Sequence, residues 1–181
     1  VYVSNTTTGA VNNYTATSYI NGTYRKAVGF TGAHVMPVGG APGVSGAQTA
    51  IVNFSDIGGY TELEASFDPG SPGLFSSATN LNVAECGNAG YTQWLGNGYW
   101  TIDATGTTGS ANYDLELRPD PISYTATGVY SASVGKRATG APVSSFALDG
   151  DCNASSTLDP AGPLVYRDNI STGFSDFAII L

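Results

Sequence analysis

The stretch Ala111-Asn112-Tyr113-Asp114-Leu115-Glu116-Leu117-Arg118 alternates without a break, putting Tyr113, Leu115 and Leu117 on one side of an extended chain and Asp114, Glu116 and Arg118 on the other. A period of two belongs to a strand with one buried and one wet face. Thr49-Ala50-Ile51-Val52-Asn53-Phe54 and residues 61–67 alternate in the same way. No window of about a dozen residues carries the 3.6-residue apolar repeat of a helix. Gly, Pro, Asn and Asp clusters bound the extended runs throughout. With 24 Gly, 20 Thr, 18 Ser and 12 Asn among 181 residues, turns and β-branched strands are favoured over helix interiors. The expected class is all-β, a β-sandwich or jelly-roll-like domain of about ten to twelve short strands.

Further strands are expected at residues 1–3, 124–130, 144–148, 164–167 and 174–181, and a short one at 34–38, which Pro37 confines to an edge. Asn21-Gly22 predicts a hairpin over residues 18–30. Gly96-Asn97-Gly98 predicts a second between 91–95 and 99–103, with Trp94 and Trp100 near its turn. The Pro/Gly break at 68–73 reads as a long loop within one domain. A chain of this length buries one core, so residues 18–181 are expected to form a single sandwich and residues 1–17 an N-terminal arm.

Charge excludes several functions. Only 11% of residues are charged, the net charge is −8, and the six cations Arg25, Lys26, Arg118, Lys136, Arg137 and Arg167 are scattered. No basic stripe can track a phosphate backbone, so nucleic acid is not an expected partner. An anionic membrane surface would repel the chain, and no run approaches the ~18 apolar residues that span a bilayer, so no membrane insertion is expected. No charged leader with an apolar core precedes Val1, so the chain is read as processed or as a fragment. Cys86 and Cys152 are expected to form one disulfide; two buried thiols in a reducing compartment are the alternative.

Catalytic constellations are missing. The single histidine, His34, lies in a strand with no triad motif nearby, and is expected at a strand edge or surface. His34, Cys86 and Cys152 are too few and too scattered for zinc. The pairs Glu62/Glu64 and Asp114/Glu116 each share a strand face, which a glycosidase could use but alternation alone produces. No catalytic residue, metal or cofactor is therefore assigned. Asp149, Asp151 and Asn153 form the one calcium candidate, although Ala154 and Pro160 replace the Gly and Glu of a helix-loop-helix calcium loop; a plain Asp/Asn turn is the other reading. Six sequons, at Asn5, Asn13, Asn21, Asn53, Asn153 and Asn169, are glycosylation candidates in a suitable host. The eleven tyrosines read as strand residues at the core margin or, alternatively, as a sugar-binding face.

Several short motifs carry a resemblance: Val1-Tyr2-Val3-Ser4-Asn5, Gly9-Ala10-Val11, Thr17-Ser18-Tyr19-Ile20-Asn21-Gly22, Arg25-Lys26-Ala27-Val28, Met36-Pro37-Val38-Gly39, Tyr99-Trp100-Thr101-Ile102 and Gly173-Phe174-Ser175-Asp176-Phe177-Ala178-Ile179. Together they resemble β-sandwich modules of Bacteroidetes-type cell-surface proteins exported by the type IX secretion system. The resemblance implies an extracellular β-sandwich followed by a C-terminal sorting domain. Leu181 ends before one, so either the domain was cleaved in export or the chain is a fragment.

The expected function is a non-catalytic extracellular structural subunit that polymerises with copies of itself by β-strand addition. Only two lysines guard its sheet edges. The exchanged arm would carry Val1, Tyr2, Val3, Val11 and Tyr14, while the apolar C-terminal strand stays in its own core. The alternative is an adhesin or carbohydrate-binding module of a larger surface protein, with a glycan as ligand.

Overall fold

Alternation becomes burial along Asn112–Pro119, where Tyr113, Leu115 and Leu117 are fully buried and Asp114, Glu116 and Arg118 stay partly exposed. The computed structural model describes residues 1–11, 14–15, 17–41, 46–106, 111–120, 128–159 and 162–181. The strands among them are β1 (Tyr2–Val3), β2 (Ile20–Asn21), β3 (Tyr24–Ala27), β4 (Gly32–Gly39), β5 (Ala47–Asp56), β6 (Tyr60–Asp68) and β7 (Tyr99–Gly106). They continue with β8 (Asn112–Pro119), β9 (Tyr130–Ser131), β10 (Ser133–Arg137), β11 (Asp151–Cys152), β12 (Thr157–Leu158), β13 (Val165–Ile170) and β14 (Asp176–Ile180). Two six-stranded sheets, ordered β1-β3-β6-β7-β14-β10 and β11-β13-β8-β5-β4-β2, pack face to face, beside a small β12-β9 ribbon. The all-β sandwich is as expected, and the strands not foreseen are β10, of five residues, and the two-residue β11 and β12.

Inward-facing residues of both sheets meet in one core. Leu63, Phe67, Trp100, Ile102, Phe177 and Ile179 come from the first sheet; Met36, Val52, Phe54, Tyr113, Leu115 and Val165 come from the second. Trp100 is fully buried, stands edge-on to Phe67, and donates from Nε1 to the Gln48 carbonyl across the sandwich (2.7 Å). That bond satisfies the one polar atom of the largest side chain in the core.

Every residue of β14 is buried. Phe177 and Ile179 face the inter-sheet core, whereas Ala178 and Ile180 face a second apolar cluster on the outside of the first sheet, made with Ala78, Leu81, Tyr91 and Phe146. The unbroken apolar run at the C-terminus is thus a strand covered on both faces, which needs no alternation. Its outer cover comes from segments 74–95 and 143–148, where Trp94 packs between Phe75 and Phe146 at centroid distances of 4.9 and 4.8 Å.

Three expected elements are corrected. Residues 18–30 are not a hairpin, because β2 pairs in parallel with β4 while β3 pairs with β1 and β6 in the opposite sheet. Gly22, at φ 120°, takes a backbone conformation that costs glycine little, and there the chain passes between sheets instead of folding back. Residues 91–95 do not pair with 99–103. They lie along the end of β14, with Leu95 N donating to Ile179 O and Leu181 N to Gln93 O (2.9 Å each), while β7 is taken by β6 over eight register pairs. Gly98, at φ 124°, makes this turn against the Asp68 carbonyl, which a Cβ would meet at 2.2 Å. Residues 144–148 are not a strand. A 3-10 turn, Val143–Ser145, follows Pro142, and a single bridge joins Ala147 to Lys136. Of the expected strand at 124–130, residues 124–127 lie outside the described residues and Tyr130 opens β9.

Cys86 and Cys152 form the disulfide, closing a separation of 66 residues and tying the covering loop to β11. One residue before Cys86, Glu85 pairs with Arg167, which is only 3% exposed and lies opposite Cys152 in the ladder. Arg167 also donates to the carbonyls of Asp149 (3.0 Å) and Gly150 (2.9 Å), and Tyr91 Oη donates to Glu85 (2.9 Å). A covalent link and a buried charge pair therefore act at the same place.

Two outcomes follow from this packing. Ile179→Ala and Ile180→Ala should each cost about 2–5 kcal/mol in urea unfolding, because neither face of β14 is wet; a near-neutral Ile180→Ala would contradict the double cover. Replacing both cysteines by serine should lower stability by about 4 kcal/mol on the chain-entropy model, measured in the same way.

Candidate functional site

All six cations are engaged within the chain. Arg25 binds Glu62 and Glu64, Arg118 binds Glu116, and Arg167 binds Glu85. Lys136 binds Asp149 (2.7 Å) and Arg137 binds Asp176 (3.0 Å). Among the described residues, Lys26 alone has no carboxylate partner. Fully buried, it donates from Nζ to the carbonyls of Thr7 (2.8 Å), Asn5 (3.3 Å) and Ala27 (3.3 Å). The Glu62/Glu64 pair is thereby bridged by Arg25.

Lys26 holds the N-terminal arm. β1 lies in parallel on β3 through the pairs Tyr2–Arg25 and Val3–Lys26, and Val1 N donates to Thr23 O (2.9 Å) while Arg25 N donates to Val1 O (2.7 Å). Val3 and Val11 pack against the core, Val1 and Tyr2 are largely exposed, and Tyr14 is partly buried. His34 is buried nearby, not at a strand edge: it faces inward between the sheets, edge-on to Phe54. Nε2 bonds the Phe30 carbonyl (2.9 Å), whereas Nδ1 is buried without a partner. Burial lowers the His34 pKa and the Lys26 ammonium adds to the shift, against the opposing effect of the Phe30 carbonyl.

A groove of about 520 Å³ crosses the outer face of the second sheet. Cross-strand register builds it: Ala33, Asn53 and Asp114 stand in one row across β4, β5 and β8, and Ile51, Glu116 and Tyr166 in the next across β5, β8 and β13. A bulge between Arg167 and Ile170 brings Asp168 and Asn169 to its rim, with Asn169 at φ 53° in the left-handed region. Asn53 Nδ2 donates to Asp114 (3.3 Å), as does the Asn169 backbone N–H (3.0 Å). Asn153 Nδ2 donates to Asp168 (2.9 Å) and Asn169 Nδ2 to Asp151 (2.8 Å). Burial raises the Asp168 carboxyl above its ordinary pKa, with Asp114 and Asp151 adding to the effect and the Asn153 hydrogen bond opposing it.

The expected site residues fall in separate places. Asp149 of the calcium candidate turns to Lys136 and Thr172; burial pushes its carboxyl up, but these hydrogen bonds and the Lys136 and Arg167 charges together hold it below the usual range. Asp151 and Asn153 face the groove region through different partners, and no group of three or more His, Cys, Asp or Glu side chains is arranged to hold a metal ion among the described residues. Of the sequons, Asn53, Asn153 and Asn169 converge on the groove, Asn5 and Asn21 are exposed on the N-terminal segment, and Asn13 lies outside the described residues. The sequence reading missed the buried Glu85–Arg167 pair, the Lys26 clamp and the groove itself. Only the same-face pair Asp114/Glu116 hinted at the last.

No family model, curated protein or solved structure matches this chain. Among the described residues, no helix is long and apolar enough to cross a membrane.

Protonating His34 would place a cation, with an unpartnered N–H at Nδ1, beside buried Lys26. Since its folded pKa lies below the unfolded value of about 6.5, the unfolded chain takes up the proton first and stability falls as pH drops below ~6.5. His34→Gln should therefore show a smaller loss of Tm between about pH 7 and 5 than the parent chain. Equal losses would remove His34 as the cause.

Proposed function

We propose that the chain is a non-catalytic extracellular structural module whose copies join into a fibre or coat by exchanging the N-terminal strand. The observation that carries the reading is the attachment of β1: an outermost, two-residue strand held on β3 by two register pairs and one lysine clamp. The same segment from a neighbour would offer β3 the same backbone groups and the same Val3 and Val11 side chains, which is the chemistry of strand addition. The other edge of the same sheet offers less room, since the far side of β10 is met by residues 143–148 through the Ala147 bridge. The disulfide, the sparse charge and the exposed sequons support an extracellular setting.

A second reading, an adhesin or carbohydrate-binding module of a larger surface protein, draws on the polar groove of the second sheet.

A cis lock separates exchange from folding better than deletion of residues 1–17, which would also remove Val3 and Val11 from the core. Tyr2→Cys with Arg25→Cys joins two register partners, a spacing that a disulfide spans. Oxidised, this variant should remain monomeric by light scattering and electron microscopy; reduced, it should assemble as the parent chain does under the same reductant, which also opens Cys86–Cys152. Fibres from the oxidised variant, or none from the parent chain under any condition that keeps it folded, would overturn the exchange mechanism.

A further inference from the structure

We infer that the groove across β5, β8 and β13 is a binding site for a neutral oligosaccharide chain, whose hydroxyls are received by its paired carboxylates and carboxamides. The inference rests on the second reading above and is independent of strand exchange. Size is the first support, since about 520 Å³ lies within the roughly 300–1,000 Å³ usual for ligand sites.

The chemistry of the lining is the second. Asn53, Asn153 and Asn169 each use Nδ2 to donate to an aspartate, and an NH2 group has two protons, so each keeps a donor beyond that bond. Each aspartate keeps acceptor capacity, because a carboxylate offers about four lone-pair sites. A rim that presents donors and acceptors side by side matches a sugar hydroxyl, which does both at once. Ile51 and the half-buried Tyr166 ring supply apolar surface for the C–H face of a pyranose.

Other ligand classes fit less well. A phosphate or sulfate would meet Asp114, Glu116 and Asp168, with no cation among the groove's described lining residues, and nearby Arg118 is held by Glu116. A metal ion would need carboxylates converging on one point, and these are spread along two ladder rows with partners of their own. A basic peptide would be drawn by the same negative charge, and its binding would fall steeply with salt, which separates it from a neutral glycan in the test below.

The test is retardation of the full chain in native gels cast with neutral polysaccharides (a glucan, a xylan and a mannan), alongside a neutral-glycan array. Oligolysine and calcium chloride are run as competing ligands. At least one neutral glycan should be bound, with affinity little changed between about 50 and 500 mM salt. Tyr166→Ala and Asn153→Ala should each weaken binding by about tenfold or more. Circular dichroism and urea midpoints like those of the parent chain would show the variants folded. Absence of any neutral glycan ligand, binding untouched by both variants, or binding of oligolysine alone with loss at high salt would overturn the site. None of these results bears on the cis-lock experiment, so the two proposals fail separately.

Discussion

Strand β14 cannot tolerate water on either side, and much of the architecture is arranged around that demand. Its inner side chains complete the inter-sheet core; its outer ones require a lid over the first sheet. The lid comes from loops, which have little inherent reason to lie flat. Trp94 wedged between Phe75 and Phe146 supplies apolar area, and the Cys86 disulfide and the Glu85–Arg167 pair fix the far end to the second sheet. A buried pair of this kind adds little by itself, since desolvation offsets the attraction, but losing one partner leaves a charge in the core and is costly. The loop is thus held in register as well as held down.

With few charges to distribute, the molecule engages every cation within the chain and leaves Asp114 and Asp168 on the outer face of the second sheet with amides for partners. Lys26 is the extreme case: an ammonium with only backbone carbonyls for company, whose pKa burial lowers. Such a group binds a loop by its donors, not by Coulomb attraction, and so orders residues 5–7 without needing an acid in the arm. The same economy leaves the outer face of the second sheet acidic and amide-rich, and cross-strand register then gathers those groups into a groove.

Local patterns in the sequence revealed local structure. Alternation at residues 111–118 and 61–67 is a property of single strands, and both became strands with the expected faces. Partners were harder, because they depend on competition among distant segments. Asn21-Gly22 has the chemistry of a turn, yet nothing beside it reveals that its flanking strands belong to opposite sheets. Residues 91–95 and 99–103 look complementary, but β6 offered β7 a longer ladder and the end of β14 took the remaining segment. Glu85 and Arg167 are 82 residues apart, and the groove is assembled from four strands and a bulge. Neither leaves a trace in any short window, whereas the disulfide needed only an even count of two cysteines.

The two ends of the chain are tied in unlike ways, and mechanical load would find the difference. Tension entering at Leu181 pulls along β14, where five register pairs with β10 and further bonds to β7 and to residues 92–95 resist sliding together. Tension entering at Val1 meets β1, whose two pairs and few flanking bonds give way over a much shorter ladder. One terminus is a rivet and the other a clasp, so under strain the domain would let go of its first strand long before its sandwich yields.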